Sequence, residues 1–285
     1  MDVDLRKLRY FVAVAEELHF GRAAARLHIA QPVLSRQIRA LEGELRAQLF
    51  VRDKRSTALT EAGRQLLEDA RPLLASASAL RRRVATAARG TSTFTVAFMP
   101  GITVTAAVRA FSSRYPDVSV ELLRTTWDDQ VEVLHDGRAD VSVVRLPVDR
   151  RGLSVRPLFA EPRVAVLRAD HRLAGKESVR VGDLADEHLL NDPDAVPEWR
   201  DVAVELREGA APRRREFRSV EEKLEHVAAG RGIAVIPRST SEYYTRPDVA
   251  HVPVEDLPPN EVCLAWVAAR RSRLIFAFAE ILSSV

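Results

Sequence analysis

Gln31, Ser35, Arg36 and Arg39 carry the side-chain groups that read base-pair edges, and they recur within one short stretch. An arginine fork meets the two acceptors of guanine and a carboxamide meets the acceptor and donor of adenine, so a face bearing both types can discriminate sequence. A helix places them together: Val33, Leu34, Ile38, Leu41 and Leu45 recur at helical spacing and claim the opposite side for a core. Pro32 suits the first turn, where its missing N–H has no helical partner. Before it, Ala23, Ala24 and Leu27 predict a shorter helix, roughly Arg22 to His28, whose alanines permit the close approach of a helix-turn-helix, with Gly21 as its N-cap. Spacing alone also fits a plain two-helix corner in which Ser35 and Arg36 are merely solvated.

Other chemistries lack their residues. His19, His28, His135, His171, His188, His226 and His251 are scattered, with no pair at metal-ligand spacing. There is no G-x-S-x-G turn and no Walker-type loop, and Gly230-Arg231-Gly232 lacks the remaining glycine of a dinucleotide fingerprint. No enzyme, metal or cofactor is expected. Cys263, the single cysteine, lies in the apolar VCLAWVA, which predicts a buried core residue; a redox role would need sulfur from another molecule.

The 285 residues, 46% of them hydrophobic, suffice for two or three compact units. The net charge of +3 is unevenly spread: residues 1–89 hold 17 Lys and Arg against 10 Asp and Glu, or +7, and the remainder holds 26 against 30, or −4. Concentrated positive charge favours the phosphate backbone and makes binding salt-dependent. The chain has no apolar run of about 18 residues, and Asp2, Asp4, Arg6 and Lys7 interrupt any signal-peptide core, so a cytoplasmic protein without a membrane segment is expected.

Elements on either side would position the reading face. Asp4 can cap a first helix carrying Leu5, Leu8, Val12 and Ala15. LFVRDKRSTALT predicts a hairpin whose turn offers Arg52, Lys54 and Arg55 either to the sugar-phosphate backbone or simply to solvent. Thr60 can cap a long helix in which Leu66, Ala70, Leu73, Ala77, Leu80, Val84 and Ala87 form a heptad seam, suited to a second copy or to the chain itself. Pro72 should kink it or remove one hydrogen bond. Arg89-Gly90-Thr91-Ser92 is a hinge candidate.

The run LRYFVAVAEELHFGRAAARLHIAQPVLSRQIRALEGEL, continuing to QLFVRDKR, resembles the winged helix-turn-helix of LysR-type transcriptional regulators. Arg46 departs from the pattern, standing where the family usually has Gly. The resemblance implies a DNA-binding domain over residues 1–60, a linker and dimerisation helix over 61–90, and an effector-binding domain over 91–285. It implies Gln31, Pro32, Ser35, Arg36, Arg39, Arg52, Lys54 and Arg55 as DNA contacts. The partners implied are double-stranded promoter DNA with a near-palindromic site, a second copy or a tetramer, RNA polymerase and a small anionic effector.

From Thr93 onward, short apolar runs alternate with helical segments, the pattern of an open α/β sheet. FTVAF, VSVELL and ADVSVVR predict strands, with helices after Pro100-Gly101 and over Trp127 to Leu134. A further strand ends near Asn191, a helix follows around Trp199 to Arg207, and RREFRSV predicts a strand. Ser219 and Glu222 cap the next helix, before IAVIP, EVCLAWVAA and a final helix from Ser272 to Leu282. The region resembles, more loosely, the family's effector module: two α/β subdomains like those of periplasmic binding proteins, about 91–161 with 267–285, and 162–266. Ligands of such open sheets lie beyond the strands' carboxyl ends. That selects Gly101, Ile102, Thr103, Thr126, Trp127, Arg145, Asn191 and Asp192. Arg145 could hold an anion or make an internal salt bridge. Trp127 could stack on a ligand or cover core. A basic run, Arg213 to Arg215, fits a solvated edge or a subunit contact. A transport receptor would share the α/β fold but need export; an architectural DNA protein would leave most of the chain without a role.

Overall fold

The computed structural model describes residues 4–52, 57–88, 92–207, 217 and 219–284, the side chains of 52, 83, 86, 87 and 194 excepted. The chain divides into two compact units, Met1–Arg89 with His135–Arg138, and Gly90–Leu134 with Ala139–Val285.

In the first unit, Asp4 caps α1 (Leu5–Glu17), its carboxylate accepting the N–H of Arg6 at 2.7 Å. Helix α2 (Phe20–Arg26) starts earlier than expected. Its cap is His19, not Gly21: the His19 Nδ1 accepts from the N–H groups of Gly21 and Arg22, each at 3.1 Å. The ring nitrogen takes the place that an Asp or Ser oxygen usually fills. Helix α3 (Gln31–Leu45) has Pro32 in its first turn and buries Leu34, Ile38 and Leu41. Each such burial is worth about 1.5–3 kcal/mol. Strands β1 (Phe50–Arg52) and β2 (Thr57–Leu59) pair antiparallel, with Phe50 opposite Leu59. The Glu42 carboxylate accepts the N–H groups of Leu49 and Phe50 at 3.0 and 3.3 Å, which fixes the start of this wing to α3.

Thr60 caps α4 (Glu61–Ala88), accepting the Gly63 N–H at 3.0 Å. The helix continues through Pro72. Its seam divides: Ala70 is buried in a core with Leu8, Phe11, Val14, Ile38 and Phe50, and Leu66 packs beside it, whereas Leu73, Leu80 and Val84 are exposed.

In the second unit, β3 (Ser92–Phe98), α5 (Thr105–Arg114), β4 (Val118–Arg124), α6 (Glu132–His135) and β5 (Val141–Arg145) form the expected βαβαβ run, with β3 parallel to both neighbours. Helix α6 is a single turn. Residues before it are organised otherwise: the Gln130 carboxamide accepts the Arg145 N–H at 2.8 Å and donates to the Arg145 carbonyl at 3.2 Å, acting as a strand partner for the end of β5. Strand β6 (Leu153–Glu161) leads into β7 (Arg163–Arg168). The strand expected to end near Asn191 is one bridge, Leu189 to Ile233. The helix expected over Trp199 to Arg207 is two, α7 (Pro197–Val202) and α8 (Val204–Arg207), because Ala203 turns to an extended ψ of 122°. RREFRSV lies largely outside the described residues, as do Arg89 to Thr91 and the basic run; Val220 opens α9 (Val220–Ala228), with Ser219 accepting the Glu222 N–H at 3.2 Å.

The chain closes through β8 (Ala234–Pro237), α10 (Arg238–Tyr243), β9 (Val249–Pro253), β10 (Asn260–Val267) and α11 (Arg273–Leu282). One sheet has the order β4-β3-β5-β10-β6 and the other β8-β7-β9. Strand β10 thus belongs to the first sheet, antiparallel to β5 and β6, although the boundary drawn at 266/267 left it in the second subdomain. Its run of five buried side chains, Val262 to Trp266, needs both faces covered. Cys263 lies among them, buried.

Candidate DNA-reading face and ligand cavity

On α3, the face opposite Leu34 and Ile38 presents Gln31, Pro32, Arg36 and Arg39 exposed and Ser35 half-buried. Neighbouring arginines are engaged: Arg26 pairs with Glu16 at 2.6 Å and Arg22 with Glu17 at 3.2 Å. Arg36 and Arg39 form no hydrogen bond or ion pair among the described residues. Two unpaired guanidiniums on one convex helix face are competent to enter a groove. Lys54 and Arg55, and the side chain of Arg52, lie outside the described residues.

The second unit contains a cavity of about 240 Å³. Thr126, Trp127, Arg145, Asn191 and Asp192 line it, as the strand-end rule predicts; Gly101, Ile102 and Thr103 do not. Ile102 is in the core of the first sheet, and Thr103 is exposed with its hydroxyl 3.4 Å from that of Thr105. Gly101, at φ +82°, lies so close to the Thr240 backbone that a Cβ would sit 2.6 Å from it. The loop after β3 therefore gives Met99 and Pro100 to the cavity wall and closes onto α10 at Gly101.

Several polar groups of the lining are already satisfied. Arg145 is an internal ion pair, its Nε 3.1 Å from Glu161, its two other nitrogens donating to the Pro100 carbonyl and the Ser239 hydroxyl, each at 2.9 Å. Burial lowers its pKa and Glu161 opposes that shift. The Thr126 N–H and hydroxyl both donate to Asp129, at 2.7 and 3.0 Å. The Asn191 amide makes two bonds to Val235, donating to its carbonyl at 2.8 Å and accepting its N–H at 2.9 Å. Trp127 is partly exposed in the wall.

Arg124, Arg163, Phe217, Lys223 and Asn260 also line the cavity and were not singled out by the sequence. Arg163 pairs with Glu198 at 2.9 Å and Arg124 with Glu221 at 3.6 Å. Lys223 differs: it makes no hydrogen bond or ion pair among the described residues, and its ammonium lies 5.5 Å from the centre of the Phe217 ring. Burial pushes its pKa down, and Asp128 opposes that. One local signal was present. A lysine in the first turn of a helix opposes the macrodipole, and Lys223 follows the capping Ser219 by four positions.

A winged helix-turn-helix with free arginines on the exposed face of α3, followed by an α/β module with a small cavity, is the arrangement of a DNA-binding regulator with a ligand-binding module. Residues 5–64 match the bacterial regulatory helix-turn-helix of the lysR family and residues 87–285 match the LysR substrate binding domain. The HTH-type transcriptional regulator BudR of Raoultella terrigena is 32% identical over 98% of this chain and 99% of its own. The crystal structure of CbnR, a LysR family transcriptional regulator, covers 99% of both chains at 26% identity with a TM-score of 0.60. Full-length CbnR complexed with its target DNA covers 99% of both at 27% identity and a TM-score of 0.52. The chain belongs to the LysR family and is a DNA-binding transcriptional regulator with a substrate-binding module. Among the described residues, no helix is long and apolar enough to cross a membrane.

Proposed function

We propose that Gln31, Pro32, Ser35, Arg36 and Arg39 read promoter DNA in the major groove, and that a small anionic effector in the cavity shifts the protein between two states of differing DNA affinity. The observation carrying the first part is the exposed, unpaired state of Arg36 and Arg39 on the face opposite the α3 core. Arg52, Lys54 and Arg55 would follow the phosphates from the wing, in keeping with the +7 charge of residues 1–89. The exposed Leu73, Leu80 and Val84 suit the α4 of a second copy. Two heads so paired would stand about one helical turn, ~34 Å, apart and favour a near-palindromic site. The role is regulatory, not enzymatic, and cytoplasmic, with RNA polymerase as a further partner. An effector acts only through differential affinity for the two states.

Footprinting on the DNA flanking its own gene supplies an operator, and fluorescence anisotropy then compares wild type with Arg36→Ala. The variant should retain its melting temperature and lose about 1–3 kcal/mol of binding, roughly 5- to 150-fold. Undiminished operator affinity in a folded Arg36→Ala protein rules out the assigned face.

A further inference from the structure

Resting on the reading of the cavity as an effector site, we infer that its ligand is a singly charged organic anion with an apolar body, held at its charged end by the Lys223 ammonium and not by Arg145. Among the described residues, the three arginines of the lining are each matched by a carboxylate: Arg124 by Glu221, Arg145 by Glu161 and Arg163 by Glu198. The hydrogen-bonding groups of Thr126 and Asn191 are turned to Asp129 and Val235. Lys223 is the cation of the lining that has no such partner among the described residues.

A half-buried ammonium with no carboxylate at ion-pair distance among the described residues is costly, Asp128 offsetting only part of the burial, and a carboxylate brought into the cavity lowers that cost. Phe217 on one side of Lys223, with Met99, Trp127, Val196 and Ile236 elsewhere in the lining, offers apolar surface for the rest of the molecule. Asp128 sets the limit on charge. It is exposed in the lining and interacts electrostatically with Lys223, so a second negative group on the ligand meets repulsion. The cavity, about 240 Å³, suits a compact molecule.

Calorimetry on the full-length chain tests this with butyrate, hexanoate, benzoate and phenylacetate, each against its primary amide, and with succinate and phthalate as dianions. At least one monocarboxylate should bind saturably, its amide and the dianions at least tenfold more weakly. Lys223→Met should lose at least tenfold in affinity for that acid with little change for the amide, and Lys223→Arg should recover part of the loss; thermal melts establish that both variants fold. Equal binding of acid and amide, tighter binding of a dianion, or full acid affinity in Lys223→Met overturns the assignment of Lys223 while leaving the cavity reading in place. Failure of every acid and amide to bind overturns both.

Discussion

Arg145 Nε lies 3.1 Å from Glu161 Oε1, with the two side chains only 2% and 8% exposed. The other Glu161 oxygen accepts the Ser239 N–H at 2.8 Å, so one ion pair ties the ends of β5 and β6 to the start of α10. Breaking a buried pair strands the remaining charge, at about 3–5 kcal/mol. Arg145→Ala is expected to lose stability on that scale in urea titrations. The double variant Arg145→Met, Glu161→Gln should be at least about 1 kcal/mol more stable than the single one, because it leaves no buried charge. Equal losses in the two would show that packing, not charge, is the main contribution of the pair.

Helix α3 ends with Arg46 at φ +51°, in the left-handed region where glycine is at ease. The Ala47 N–H reaches the Glu42 carbonyl at 3.1 Å and the Arg46 N–H reaches that of Gly43 at 3.3 Å, the paired bonds of a Schellman ending. The resemblance placed Gly here, and the backbone shows why. Arg46→Gly should stabilise the protein by roughly 0.5–1 kcal/mol, read as an upward shift of the urea midpoint.

Gly63 is constrained by contact and not by its backbone angle. A Cβ there would stand 2.2 Å from the Leu49 carbonyl oxygen, so α4 can approach the wing this closely only without a side chain. Gly63→Ala should cost about 1–3 kcal/mol and displace the wing, weakening DNA affinity at every sequence tested. Melting and anisotropy together separate this from a change in base reading, which would weaken some sequences more than others.

Lys223 sets a pH dependence whose sign is definite. Burial lowers its pKa in the folded chain, so the unfolded chain binds more protons, and this group's contribution to stability rises with pH between the lowered value and the ordinary lysine value. Asp128, which also lines the cavity, opposes the shift without reversing it. Lys223→Met should therefore raise the melting temperature of the ligand-free protein near neutral pH, by an increment that shrinks as pH approaches about 10.4. An increment that does not change with pH would mean that the amine titrates normally.

Periodicity was enough to locate α1, α3 and α4, because Leu8, Leu34, Ile38 and Ala70 lie in the core as their spacing requires. The caps at Asp4, Thr60 and Ser219 were legible because each is a strictly local hydrogen bond. His19 was missed because imidazole is an uncommon cap. The single turn of α6 was missed because Gln130 bonds to Arg145 across the fold, a tertiary choice that overrides helical spacing. The cavity was half legible. Strand-end logic found Thr126, Trp127, Arg145, Asn191 and Asp192, but which of them keeps a free polar group depends on partners such as Glu161 and Val235, distant in sequence.

Because Leu66 and Ala70 of α4 are sealed into the same core as Ile38 and Phe50, the first turns of that helix and the reading head have no slack between them. A tilt of the long helix is therefore a tilt of α3, and α4 acts as the handle of a rigid tool. On the proposed pairing of two copies through α4, a change in the angle between two such handles would move the proposed reading faces along the duplex, with no rearrangement needed inside either head.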